Sequence, residues 1–233
     1  FRSVGNTNEE NDRQLEYQSA ETNTRANITH HVVSDNWQWK YGLNFVHREY
    51  DLDMWSVRFN NAADVRRIDT VDYDSNIAFQ SLGAFTHLTK NYLDNRLSTS
   101  AGLRLDMHNL NLTTVNPLAQ FSPRMSAQYH INSDWAIQGN LGRYSQLPPA
   151  VTILANEANN WSRYSYAGIV NQAATGIEFQ NGETYRFSLE SYYKHYNNMP
   201  YLWNDQMSFS QAIGAYVAVG DQVSSSVAEG RSY

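Results

Sequence analysis

The residue types that could do chemistry are present but dispersed. His30 and His31 are adjacent, and adjacent residues on an extended strand point to opposite faces, so the pair does not share one ion. The other histidines show no ligand spacing. Asp51, Asp53, Asp64, Asp69, Asp72 and Asp74 crowd one stretch. Oxygen-rich loops hold calcium, but the order of an EF-hand is missing and Arg58, Arg66 and Arg67 are interspersed. A solvated loop with local ion pairs is the expectation there, and no metal site is read from it. Cysteine is absent, which removes thiolate ligands, disulfides and cysteine nucleophiles. No Gly-x-Ser-x-Gly elbow and no phosphate-binding glycine loop occur. The expectation is a protein that is not an enzyme and carries no cofactor.

Two other groups suggest recognition. Trp161, Tyr164, Tyr166, Tyr201 and Trp203 lie in or beside long polar stretches. Tyr and Trp offer large rigid contacts, so these are candidate ligand-binding aromatics, with packing between loops as the alternative. Glu178, Arg186, Glu190 and Lys194 fall on the polar side of two neighbouring alternating segments, 166–180 and 184–196. Cross-strand pairing of opposite charges is the ordinary reading of such a set.

The elements that must position these residues are strands. Trp37, Trp39, Tyr41, Leu43 and Phe45 alternate with Gln38, Lys40, Gly42 and Asn44, the period of a half-buried strand. The pattern recurs at 97–106, 125–131, 135–144 and 185–194, and more weakly at 19–33, 74–90 and 166–180. That makes about eight strands, with a ninth opening near Ala228. In 74–90 the phase of the apolar residues changes near Leu82-Gly83, which predicts a β-bulge. Connections alternate in length. Residues 34–36, 91–95 and 132–134 are short, and Asn181-Gly182 is a two-residue hairpin signal. Residues 51–73, 107–120, 146–165 and 197–225 are long. An antiparallel up-and-down sheet with all its tight turns at one end gives this rhythm, as in outer-membrane barrels. Gly142-Arg143-Tyr144-Ser145-Gln146-Leu147-Pro148-Pro149 then reads as a strand exit, because prolines cannot donate to a ladder.

Composition agrees. Aromatics make up 13% and charged residues only 17% of the 233 residues, against about a quarter charged in ordinary soluble domains. Mean hydropathy is −0.61, and no run approaches the roughly 18 apolar residues of a membrane helix. A transmembrane barrel keeps its mean hydropathy low by alternation. Trp37, Trp39, Trp135, Phe179 and Tyr185 sit beside the short turns, as in the aromatic belt at a membrane interface. The net charge of −6, with no basic patch visible, argues against a nucleic-acid partner.

The run "NLGRYSQLPP" (140–149), the run "GIEFQNGETYRFSLESYYKHYNNMP" (176–200) and "EGRSY" (229–233) together resemble, in order, segments of TonB-dependent outer-membrane receptors, especially those of Bacteroidota. The resemblance implies a barrel of about 22 strands around a plug, located in the bacterial outer membrane and importing a scarce ligand. It also implies lipid around the barrel, a plug domain of the same parent chain, the TonB complex, and in some members a surface lipoprotein. Glu178, Arg186, Glu190 and Lys194 would then face the lumen or the plug. Residues 1–233 are expected to form a partial barrel, with the plug outside this chain. Two alternatives remain open: a complete eight-stranded outer-membrane barrel with an adhesive or structural role, and a soluble β-sandwich binding module.

Overall fold

The computed structural model describes residues 2–4, 15–60, 67–148, 153, 167–182, 184–199 and 228–233. They form ten strands: β1 (Arg2–Val4), β2 (Leu15–Val33), β3 (Trp37–Asn60), β4 (Arg67–Tyr92), β5 (Leu97–His108), β6 (Ser122–His130), β7 (Trp135–Gln146), β8 (Gly168–Asn181), β9 (Tyr185–Met199) and β10 (Ala228–Ser232). All lie in one sheet whose spatial order is the chain order, and each neighbouring pair is antiparallel. The eight segments read from alternation are β2–β9, and β10 opens at Ala228 as expected. β1 is too short to leave a readable period. β1 and β10 are the edges, and among the described residues they do not pair, so the sheet is open.

The tight turns fall at one end, at 34–36, 93–96, 131–134 and 182–184. At the last of these Asn181 still pairs with Tyr185, so the turn is one residue longer than the Asn-Gly signal predicted. Gly182 takes the left-handed conformation there, with φ at 55°. Successive hairpins are staggered. Trp37 pairs with Lys90, two residues short of the end of β4. Leu97 pairs with Tyr129, and Trp135 with Phe179, two short of the end of β8. A set-back of about one residue per strand is the shear that tilts barrel strands by about 36°.

The register assigns every side chain to one of two faces. The front face carries Trp39, Leu43 and Phe45 of β3, Leu82 and Leu88 of β4, Leu103 of β5, Met125 of β6, Ile137 and Leu141 of β7, and Phe187 and Leu189 of β9. Each of these is more than a third exposed, Leu189 at 63%. So broad an apolar surface does not stay bare in water. The back face at the same height is polar, carrying Ser98, Ser100, Arg104, Ser126, Gln128, Gln138 and Asn140.

Above the row of Phe45, Leu82 and Met107 this order inverts on β2–β4. The front face becomes Glu49, Asp51 and Asp53 beside Ala78, Asn76 and Asp74. The back face becomes apolar, with Leu52 at 1% and Met54 at 6% exposure packed by Tyr17, Tyr50, Tyr73 and Ile77. Two expectations are corrected here. Residues 51–60 and 67–73 are strand and not loop. The phase change at Leu82-Gly83 is no bulge, since β4 pairs with β3 and β5 without a register shift. What changes is the residue character of the two faces, and the same period-two backbone serves both.

Gly42 marks a close approach. A Cβ there would overlap the carbonyl oxygen of Ile28 and lie 3.0 Å from the Phe85 ring and 3.1 Å from the Thr29 backbone. A Cβ at Gly139 would meet only an ordinary contact at 3.6 Å. Gly42→Ala is expected to cost about 1–3 kcal/mol through overpacking. Gly139→Ala should stay within about 0.5 kcal/mol. The loss of strand circular dichroism on heating checks the difference, and equal melting of the two variants would contradict it.

Candidate functional site

The back face holds the described charged groups that could meet a ligand or a packed domain. On β5, Arg104 donates to both carboxylate oxygens of Asp106, each at 2.6 Å, and reaches Asn44 Oδ1 at 3.1 Å. These three side chains occupy the space above Gly83, where a Cβ would strike all of them. The four residues expected on β8 and β9 are indeed on the back face. Arg186 pairs with Glu178 at 2.8 Å. Glu190 accepts from Gln138 Nε2 at 3.3 Å, and the Lys194 ammonium sits 5.2 Å from the centroid of the Tyr192 ring. Arg186 is 71% exposed, so its ion pair adds little stability and leaves the guanidinium accessible.

A set of residues that the sequence did not single out joins them. The ladder brings Lys40 opposite His87, His87 opposite Gly102, Gly102 opposite Arg124, and then Gly142, Gln172 and Lys194 into one row. The Arg124 guanidinium lies 4.3 Å from the Tyr144 ring centroid. Tyr144 in turn folds over Gly142, whose missing Cβ leaves room for the ring. The row spans six strand spacings, with Gly102, Gly142 and Gln172 standing between the cations Lys40, Arg124 and Lys194. These cations are distant in sequence, and only strand pairing gathers them.

The histidine pair divides as expected: His30 pairs with Tyr41 on the front face, His31 with Lys40 on the back. His30 Nδ1 lies 2.9 Å from the Tyr41 hydroxyl. Of the aspartates, Asp51, Asp53, Asp72 and Asp74 lie on the front face of strands and not on a loop. Among the described residues no group of three or more acidic or histidine side chains is placed to hold a metal ion. Asp64 and the aromatics Trp161, Tyr164, Tyr166, Tyr201 and Trp203 lie outside the described residues.

At the turn end of the front face, Trp135 packs on Phe179 with centroids 4.8 Å apart, and Trp39 on Tyr41 at 4.6 Å. An apolar band, an aromatic fringe and a polar opposite face are thus carried by one tilted meander. Residues 1–227 match the family model described as TonB dependent receptor-like, beta-barrel. The chain belongs to this receptor family.

Solved structures agree on the fold. The copper transporter OprC superposes with a TM-score of 0.63 at 13% identity, over 93% of this chain and 35% of that one. The outer membrane transporter YddB from Escherichia coli gives 0.54 at 12%, over 80% and 26%. The ferric-catecholate import receptor Fiu from E. coli K12 gives 0.51 at 12%, over 83% and 34%. The chain therefore spans about a third of the length of these receptors. No curated protein matches it in sequence.

Within this receptor barrel the end opposite the tight turns is built differently on its two sides. After β5 the chain makes a compact polar knot. Asn111 Oδ1 accepts from Thr113 N, Thr113 Oγ1 and Thr114 N at 2.7–3.0 Å, and Gln120 Nε2 donates to Thr114 O at 2.6 Å. Thr114, Gln120 and Ser122 are each 1% exposed. Arg143 ties the knot to β7 by donating to the carbonyls of Phe121 and Ala119 at 2.7 and 3.1 Å. On β2–β4 the apolar cluster does the same work. There the Tyr50 hydroxyl lies 3.1 Å from that of Tyr17, and burial together with this neighbour pushes Tyr50 up to about 12.

A folded-state value above the unfolded one of about 10 means that the stabilisation is complete below pH 10 and is lost as pH rises toward 12. Wild-type protein should show a late tyrosine ionisation near pH 12 by absorbance near 295 nm. In Tyr50→Phe this late phase should be missing and the alkaline loss of stability reduced. A late phase that persists in the variant would refute the assignment.

Proposed function

We propose that this chain forms part of the wall of a TonB-dependent importer in the bacterial outer membrane, with the front face against lipid and the back face lining the lumen. The height of the apolar band carries this reading. On β5 it runs from Leu97 to Met107, about 33 Å along the strand. At a tilt of about 36° that is a vertical rise of about 27 Å, close to the roughly 25 Å apolar belt of outer-membrane barrels. Beyond it β3 and β4 continue into water, which accounts for the inverted polarity. The open sheet and the span of about a third of the solved receptors favour a section of a larger barrel over a closed eight-stranded one.

In this arrangement Glu178, Arg186, Glu190 and Lys194 face the lumen and a plug domain of the same parent chain, whose release the TonB complex drives. Trp161, Tyr164, Tyr166, Tyr201 and Trp203 belong to stretches that follow the long-loop ends of β7 and β9, where an importer captures its ligand. The role is binding and passage, without catalysis. The order of the three motifs 140–149, 176–200 and 229–233 supports a Bacteroidota-type receptor, to which a surface lipoprotein would add a lid.

Leu103→Arg places a charge near the middle of the band and should destabilise the barrel by about 2–4 kcal/mol. Ser126→Arg, on the back face, should be tolerated. Folded protein recovered from outer membranes, measured by heat-dependent gel mobility, separates the two. The reverse order would place the lipid on the other face. For the importer itself, cells with and without a working TonB complex are compared for energised uptake through the receptor across a panel of scarce nutrients. Uptake that is equal in both would exclude TonB-driven import.

A further inference from the structure

The strands sort the charge of this acidic chain by face. On β3 and β4 the front-face charges above the band are carboxylates: Glu49, Asp51, Asp53, Asp72 and Asp74. On the back face the carboxylates Asp106 and Glu178 are neutralised by Arg104 and Arg186. Glu21 and Glu190 also lie on this face, hydrogen-bonded to Asn23 and Gln138, while the cations Lys40, Arg124 and Lys194 stand in one row with His87 and Gln172. Among the described residues no carboxylate lies within ion-pair distance of Lys40, Arg124 or Lys194.

Two features suit these cations to a ligand. Arg124 holds its guanidinium carbon over the Tyr144 ring, an attraction that helps to place the guanidinium, whose N–H groups suit a two-oxygen acceptor such as carboxylate or phosphate. Lys194 is likewise held over Tyr192. Between them Gly142 is covered by the Tyr144 ring, and Gln172 holds the next place in the row. Arg124 and Lys194 are three strands apart, about 14 Å at the backbone, and both side chains are long enough to converge on one molecule. Because each hairpin is set back from the last, the row climbs from three residues above the turn at Lys40 to nine above it at Lys194.

We propose that this row is a binding track for a small polyanion, a molecule carrying two or more carboxylate or phosphate groups, with Arg124 and Lys194 as its principal contacts. The proposal rests on the back face lining the lumen and names the class of ligand that the lumen takes.

The test uses receptor extracted from outer membranes in detergent, with tripolyphosphate and citrate as probes and maltose as the neutral control, read by calorimetry at low and raised salt. Binding of the anions but not of maltose is expected, weakening as salt rises. Arg124→Ala combined with Lys194→Ala should weaken it at least tenfold. Lys90→Ala removes a positive charge from the front face and should change it less than twofold. Anion binding that is the same in all three proteins, or absent from the wild type, overturns the proposal. So does a double variant that melts much lower without any anion present, since the row would then be holding a segment of protein. Anion binding that persists where TonB-driven uptake fails would sink the importer reading and leave the track standing.

Discussion

From β2 to β9 the backbone ladder runs without a register shift, and the other features depend on that continuity. A strand cannot rotate its side chains independently of its hydrogen bonds, so each residue's face is fixed by parity. In hydrocarbon the constraint tightens, because an unpaired N–H or C=O has no water to turn to. A chain under it can respond to a change of surroundings only through residue type. That is what happens at Phe45 and Leu82. One step further along β3 and β4 the front face is acidic and the back face holds Leu52 and Met54.

This explains which parts of the fold were legible in the sequence. Alternation marked β5, β6, β7 and β9 closely, because on them one parity stays apolar from the turn upward. It failed at 51–73, where alternation continues with the parities exchanged. Tyr50, Leu52 and Met54 have the parity of Gln38 and Lys40, so a reading that follows the apolar side loses the strand and sees loop. At Leu82-Gly83 the same exchange imitates a bulge. A pattern of apolar residues reports the solvent of a face, and it reports backbone phase only while that solvent is constant.

The site was legible to a different extent. Glu178, Arg186, Glu190 and Lys194 lie on one hairpin, so local spacing placed them on a common face, and the Glu178–Arg186 pair at 2.8 Å follows from that. Lys40, His87 and Arg124 come from three strands, and their juxtaposition depends on register and stagger that the sequence does not state. Nor does a run of Asn, Thr and Gln between Asn109 and Phe121 announce a buried knot. Its buried polar groups find most of their partners within the knot or in Arg143, with Gln120 Oε1 left without one. A one-residue insertion there would break that accounting without altering composition.

Gly142-Arg143-Tyr144 shows how much one tripeptide holds when parity is fixed. Arg143 projects to the front and fastens the knot through two carbonyls. Its neighbours project to the back, where the absence of a side chain at Gly142 lets the Tyr144 ring lie down and carry Arg124. Beyond them β7 ends at Gln146, just before Pro148, so the ladder stops once these tasks are done. A net charge of −6 therefore says little about what either face presents. Charge on a sheet is divided by parity between two surfaces, and the sum over both describes neither.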